Sequence, residues 1–342
     1  MSSHRTPSAQ QPADERPAFD LFEGFALSSV LAGLEMAGLL ESLEDGGLPE
    51  AAVLDRPRPA AELLRASLAY LADRAVVENG GDTWRLTDYG RAVCPDKGYL
   101  VWLVGGYGGP LRHLGAMMDG TATYGTDYTR DGEWVAGGAA MLGRADVVPY
   151  ALDLLGGINF RHMLDIGCGN ARFLLLACKR FGATGVGVDL SPEACQLAEA
   201  AAEAAGMRDR VQIALGDAAD LDKIPRLGET DLVVTFFLLH EILASGRDAL
   251  VAYLADLCGR LPAGARLLAA EVEPPRTPES GRVPAPQRFT PEFTYVHALM
   301  SQILYPAQEW ERALIDGGFR MVATRSSGMP GGLVLLAEKP AS

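Results

Sequence analysis

Residues 164–176 read LDIGCGNARFLLL. An apolar run ends in Asp165, Gly167 and Gly169 follow, and an apolar stripe at helical spacing begins behind them. Glycine is required where a chain turns tightly and where a ligand must approach the backbone, so the stretch reads as strand, loop and helix start. The Gly-x-Gly spacing is weak by itself, and the third position of the dinucleotide-binding pattern holds Ala171. The pattern on either side of the loop decides the fold. Strands are expected at 161–166, 185–189, 211–215, 231–237, 265–272, 319–325 and 332–338, with helical patterns between most of them. That alternation predicts a doubly wound, Rossmann-like α/β sheet of seven strands with helices on both faces. Ligands of such sheets bind beyond the carboxyl ends of the strands.

Three acids fall at those ends. Asp165 precedes the glycines, Asp189 closes the second strand 20 residues beyond Gly169, and Asp217 closes the third in ALGDAAD. An acid before the glycines suits a cationic amino-acid moiety and would repel a pyrophosphate. An acid at the second strand end suits a ribose diol, and one at the third can accept from an adenine amino group. Each alone would read as a turn or cap residue; Asp189-Leu190-Ser191-Pro192 is also a good helix start, with Ser191 as N-cap and Pro192 at the first position. One acid at each of three strand ends points to S-adenosylmethionine. Residues 159–342 resemble class I S-adenosylmethionine-dependent methyltransferases, including a closing antiparallel pair around GFRMVATRS and GGLVLLAEKP. The resemblance implies cofactor contacts from Asp165, Gly167, Gly169, Asp189, Leu190, Asp217, Ala218 and Phe236.

The front half has a different pattern. Residues 1–17 are polar and Pro-rich without an apolar h-region, so a flexible tail and no secretion signal are expected. Residues 18–100 carry two helical stripes and then NGGDTWRLTDYGRAV, the outline of a winged helix. With a net charge of −14, binding to nucleic acid or anionic membranes is disfavoured, and the module reads as a dimerisation domain. Residues 101–158 read as a helical connector and substrate lid, and 159–342 as the catalytic domain. The five cysteines show no CxxC pairing, which fits reduced thiols in a cytoplasmic protein.

The fourth strand of the sheet runs into TFFLLHEIL, residues 235–243, and presents His240 and Glu241 at the functional edge. As a base near its reference pKa, His240 would serve an O-methyltransferase. His297 shares a helix face with Phe293, Val296, Met300 and Leu304, so two histidines and one carboxylate could instead bind iron or zinc. The whole chain is similar to dimeric small-molecule methyltransferases. Within them it resembles the metal-dependent α-keto acid C-methyltransferases of nonribosomal-peptide pathways. The matching residues are His240-Glu241, Phe289-Thr290, Phe293, His297, Met300, Pro306, Glu309-Trp310, Trp102 and Arg130-Asp131, with Glu241 where the family has Asp. The resemblance implies a homodimer in secondary metabolism and a 2-oxo acid chelated to a metal on His240, Glu241 and His297. Arg130 would clamp its carboxylate, and Trp102, Tyr107 and Phe293 would line the side-chain pocket.

Overall fold

The computed structural model describes residues 16–276 and 287–341. Of the tail expected over 1–17, all but Arg16 and Pro17 lie outside the described residues. The chain divides into two compact units between Leu142 and Gly143.

In the first unit, helix α1 (Pro17–Met36) starts with proline at its first position, where a missing N–H costs nothing. Helix α2 (Arg58–Asp73) buries Ala61, Leu64, Leu68 and Leu71, one stripe at three- and four-residue spacing. Strands β1 (Leu48–Pro49), β2 (Val77–Asn79) and β3 (Thr83–Leu86) form an antiparallel sheet in the order β1-β3-β2. The turn between β2 and β3 uses Gly81 at φ +100°, and its N–H donates to Asn79 Oδ1 at 2.8 Å. Leu31 and Leu34 of α1 join the α2 stripe, Trp84 and Leu86 in one core. The other half of α1 exposes Leu21, Phe22 and Phe25. By length and composition α1 is the one described helix apolar enough to cross a membrane. A π-helical stretch, Val101–Gly106, contains Trp102, against whose backbone Gly138 lies so closely that a Cβ there would sit 2.6 Å from Trp102 N.

The second unit carries the seven-stranded sheet: β4 (His162–Ile166), β5 (Thr184–Asp189), β6 (Val211–Leu215), β7 (Leu232–Phe236), β8 (Arg266–Val272), β9 (Arg320–Ser326) and β10 (Gly332–Glu338). Their order is β6-β5-β4-β7-β8-β10-β9, parallel through β8, with β10 antiparallel to both β8 and β9. All seven expected strands are present, and the antiparallel closing pair is where the sequence placed it. Helices α3 (Arg172–Phe181), α4 (Pro192–Ala204), α5 (Leu239–Leu243), α6 (Arg247–Arg260), α7 (Thr290–Leu299) and α8 (Ala307–Asp316) accompany it. Leu250, Leu254 and Leu257 of α6 and Trp310 of α8 pack on Val233, Leu267, Ala269 and Leu335 of the strands. Each buried leucine there contributes about 2 kcal/mol by leaving water. Gly185 and Gly187 let helix and loop press on β5: a Cβ at Gly187 would lie 2.8 Å from Cys168 Sγ. All five cysteines are free and buried.

The sheet order turns around at β4 and β7. From β4 the chain moves outward through β5 and β6; from β7 it moves the other way. That reversal opens a crevice beyond the carboxyl ends of β4 and β7. The Gly-x-Gly loop and the His240 loop both start there.

Candidate active site

The loop after β4 is held open by backbone conformation. Gly167 (φ 76°) and Gly169 (φ 54°) are left-handed, and a Cβ at Gly169 would meet nothing within 4 Å. Space is therefore left above the loop, while the positive φ disfavours a side chain. Ala171, at the third position of the pattern, is also left-handed (φ 56°) and fully buried as it starts α3. An alanine held there costs about 1 kcal/mol. The Gly169 N–H donates to Asp189 Oδ2 at 2.8 Å, and the Ser191 N–H to Asp189 Oδ1 at 3.0 Å. Those two bonds lock the Asp189 carboxylate across the loop, and each oxygen retains a lone pair for a ligand hydroxyl. Ser191 caps α4 by accepting from the Ala194 N–H, as its sequence context predicts.

Asp165 is 4% exposed, and burial, with the charge of Asp189 added, pushes its carboxyl up to about 7. Two carboxylates at one loop repel, and a cation at Asp165 relieves that repulsion. This arrangement fits the ammonium end of S-adenosylmethionine at Asp165 and its ribose at Asp189. Asp217 Oδ1 accepts from the Ala219 N–H at 2.9 Å, which shapes the turn after β6. Ala218, within that turn, packs against the core of the sheet, and Leu190 is exposed. The Phe236 ring lies 4.7 Å from Phe173.

TFFLLHEIL is not one continuous strand end. Thr235 and Phe236 finish β7, Phe237 turns left-handed (φ 56°), and Leu239–Leu243 form α5. The parallel register of Phe236 with Ala270 brings the next residue of β8, Glu271, beside this turn. Glu271 is fully buried. Its Oε1 accepts from the N–H groups of Leu239 at 2.8 Å and His240 at 3.3 Å, capping α5, and its Oε2 accepts from His240 Nδ1 at 2.8 Å. A carboxylate only accepts, so Nδ1 carries the proton and Nε2 the lone pair of the neutral ring. His297 is fixed the same way: its Nδ1 donates to the Phe293 carbonyl at 2.7 Å. The two imidazoles stand edge to face with centroids 4.9 Å apart, and Phe293 stacks on His297 at 3.9 Å.

Glu241 sits on α5 because the chain leaves the strand at Phe237. It follows His240 on a helix, where adjacent residues point about 100° apart, and it is half-buried while His240 is buried. Among the described residues no group of three or more His, Cys, Asp or Glu side chains is arranged to hold a metal ion. The two histidines have the fixed tautomer that metal ligands need. The buried carboxylate on His240 is Glu271, which the local sequence pattern does not single out. Its one signal is an acid inside the apolar strand LLAAEV. Arg130, Trp102 and Tyr107 belong to the first unit. There Arg130 Nη1 donates to Tyr107 Oη at 3.4 Å, its N–H donates to Tyr124 Oη at 3.2 Å, and Trp102 lies 4.7 Å from Tyr107.

A methyltransferase domain model matches residues 163–259, which run from β4 to α6. Over 339 residues the chain is 28% identical to the 2-ketoarginine methyltransferase of Streptomyces arginensis, covering 93% of this chain and 95% of that one. It is 27% identical to the indolepyruvate C-methyltransferase of Streptomyces griseus, covering 82% of each. The fold matches human N-acetylserotonin methyltransferase, solved in complex with S-adenosylmethionine, at a TM-score of 0.64 and 19% identity, covering 97% of this chain and 100% of that one. The chain is an S-adenosylmethionine-dependent methyltransferase. The His240–Glu271 pair lies one strand over from the glycine loop, at the carboxyl end of β7.

Proposed function

We propose that this methyltransferase transfers the methyl group to carbon 3 of a 2-oxo acid, with His240 taking the proton from that carbon. The observation that carries the reading is the His240–Glu271 pair, a tautomer-fixed base with a buried counter-charge. Both Streptomyces relatives are named for 2-oxo compounds, and one as a C-methyltransferase. The ketone at carbon 2 makes the carbon 3 proton acidic. His240 Nε2 accepts that proton, and Glu271 stabilises the imidazolium that forms. The electron pair of the broken C–H bond becomes the new C–C bond. S-adenosylmethionine supplies a methyl group on a sulfonium that departs as a neutral thioether. Asp165 and Asp189 hold the donor, and positioning lowers the remaining barrier. The test is turnover of a 2-oxo acid panel with isotope-labelled methyl donor, the methyl located by NMR. A methyl on carbon 3 supports the reading, and a methyl on oxygen overturns it.

The locked tautomers favour a second reading, in which both Nε2 atoms bind one iron or zinc ion that would act as a Lewis acid on the ketone. The His297→Ala variant separates the two. With His240 as a base, His297→Ala should lower kcat about tenfold, by loosening Phe293 and the neighbouring ring. With a shared ion, it should remove stoichiometric metal from the purified protein and abolish turnover.

A second copy of the chain is the proposed partner of the exposed half of α1. Phe22 and Phe25 are about 70% exposed, and Asp20 and Glu23 between them oppose burial in hydrocarbon. Phe22→Asp with Phe25→Asp should convert a dimer to a monomer in size-exclusion chromatography with light scattering. A wild-type protein that is monomeric, or that partitions into lipid vesicles, would contradict this.

A further inference from the structure

We infer that Thr290 and Thr294, on the first turns of α7, hold the carboxylate of the substrate; this rests on the 2-oxo acid reading. Both hydroxyl oxygens are buried, and neither has a hydrogen-bond partner among the described residues. Thr290 as a whole is 4% exposed. A helical threonine can satisfy its hydroxyl on the carbonyl one turn earlier, and Thr294 does not. A buried hydroxyl left unpaired is costly, so such groups are normally paired or serve a ligand.

Their place on α7 says what they could serve. Thr290 precedes His297 by seven residues and Phe293 by three, so the three share a face. Thr294 flanks that face, three residues before His297. The His297 ring is 4.9 Å from that of His240, so the hydroxyls belong to the same end of the sheet as the proposed base. The first turn of a ten-residue helix carries a positive dipole end, which favours an anion. Two adaptable O–H donors at that end match the two oxygens of a carboxylate. Both ends of α7 sit on left-handed residues other than glycine, Phe289 (φ 68°) and Ser301 (φ 56°). Backbone strain of this kind persists where the surroundings fix a functional segment.

The test compares Thr290→Val, Thr294→Val and the double variant on a 2-oxo acid and on its methyl ester, with the melting temperature of each protein measured without ligand. Valine keeps the γ-methyl of Thr290, which lies against Gly331. Each variant should raise KM for the acid on the order of tenfold, leave kcat within a few-fold, and leave KM for the ester unchanged. The melting temperature should hold or rise, because an unpaired hydroxyl has been removed. Thr290→Ser keeps the donor and should keep the wild-type KM. Variants with unchanged KM for the acid, or with equal losses on acid and ester, overturn the assignment. A fall in melting temperature without a change in KM marks the hydroxyls as structural and overturns it too. Wild-type protein that methylates no 2-oxo acid would instead sink the functional reading, and this inference with it.

Discussion

Replacing Glu271 with glutamine is expected to lower kcat by about 10²- to 10⁴-fold while leaving S-adenosylmethionine affinity unchanged. The amide oxygen can still accept from the Leu239 and His240 N–H groups, so the cap of α5 survives. The amide nitrogen then faces His240 Nδ1, where a proton acceptor stood. Two donors cannot face each other, so the ring is driven to the tautomer with its proton on Nε2. A base with its lone pair turned away takes no proton from carbon 3. His240→Ala should cost as much, and the double variant little more, because the two side chains act as one unit. Steady-state rates for the four proteins, with melting curves to show that they fold, are the measurement. A Glu271→Gln enzyme within tenfold of wild type would remove His240 from the role of base.

Most of the second unit is readable in the sequence because five of its seven strands are buried on both faces and so appear as continuous apolar runs between turn signals. The helix start at Ser191-Pro192 is readable because capping chemistry is local. The acids at Asp165, Asp189 and Asp217 stand out because each sits at a strand end that the pattern already places. The segment after β7 is harder. A run such as DLVVTFFLL has no periodicity that separates a strand from a buried helix, so the expected strand extends through Phe237, one residue beyond its end at Phe236. The break comes from a left-handed phenylalanine, which no residue preference announces. Glu271 stays hidden for a different reason. Its partner His240 lies 31 residues away and reaches it through the β7–β8 register, whereas Glu241 stands next to His240 in the sequence and draws the assignment. Contacts set by sheet pairing are not visible in local spacing. The same holds for the hydroxyls of Thr290 and Thr294: Thr290 enters the sequence reading only through the Phe289-Thr290 match, and the burial of both groups comes from the packing of α7.

Asp165→Asn should weaken S-adenosylmethionine binding by at least 100-fold and yet make the ligand-free protein more stable above pH 7. The carboxyl is pushed up to about 7 in the folded chain, from 3.8 in the absence of structure, first by burial and then by the charge of Asp189. Below pH 3.8 it is protonated in both states and costs nothing. Between 3.8 and about 7 the unfolded chain ionises first, so stability falls as pH rises. Above about 7 the folded protein holds a buried carboxylate beside a second one, and the loss is complete. Asparagine has the same shape without that dependence. The difference in melting temperature between variant and wild type should therefore be near zero at acid pH and grow to a plateau above neutrality. On the order of 2 kcal/mol is expected at the plateau. Binding reverses the balance. The ammonium of the methyl donor needs the ionised form, and losing one partner of a buried pair typically costs about 3–5 kcal/mol, hence the affinity loss. For the same reason, wild-type binding below pH 7 should release a proton, which calorimetry in buffers of different ionisation enthalpy detects. Unchanged donor affinity in Asp165→Asn, or a lower melting temperature at pH 8, would place the cationic end of the donor elsewhere.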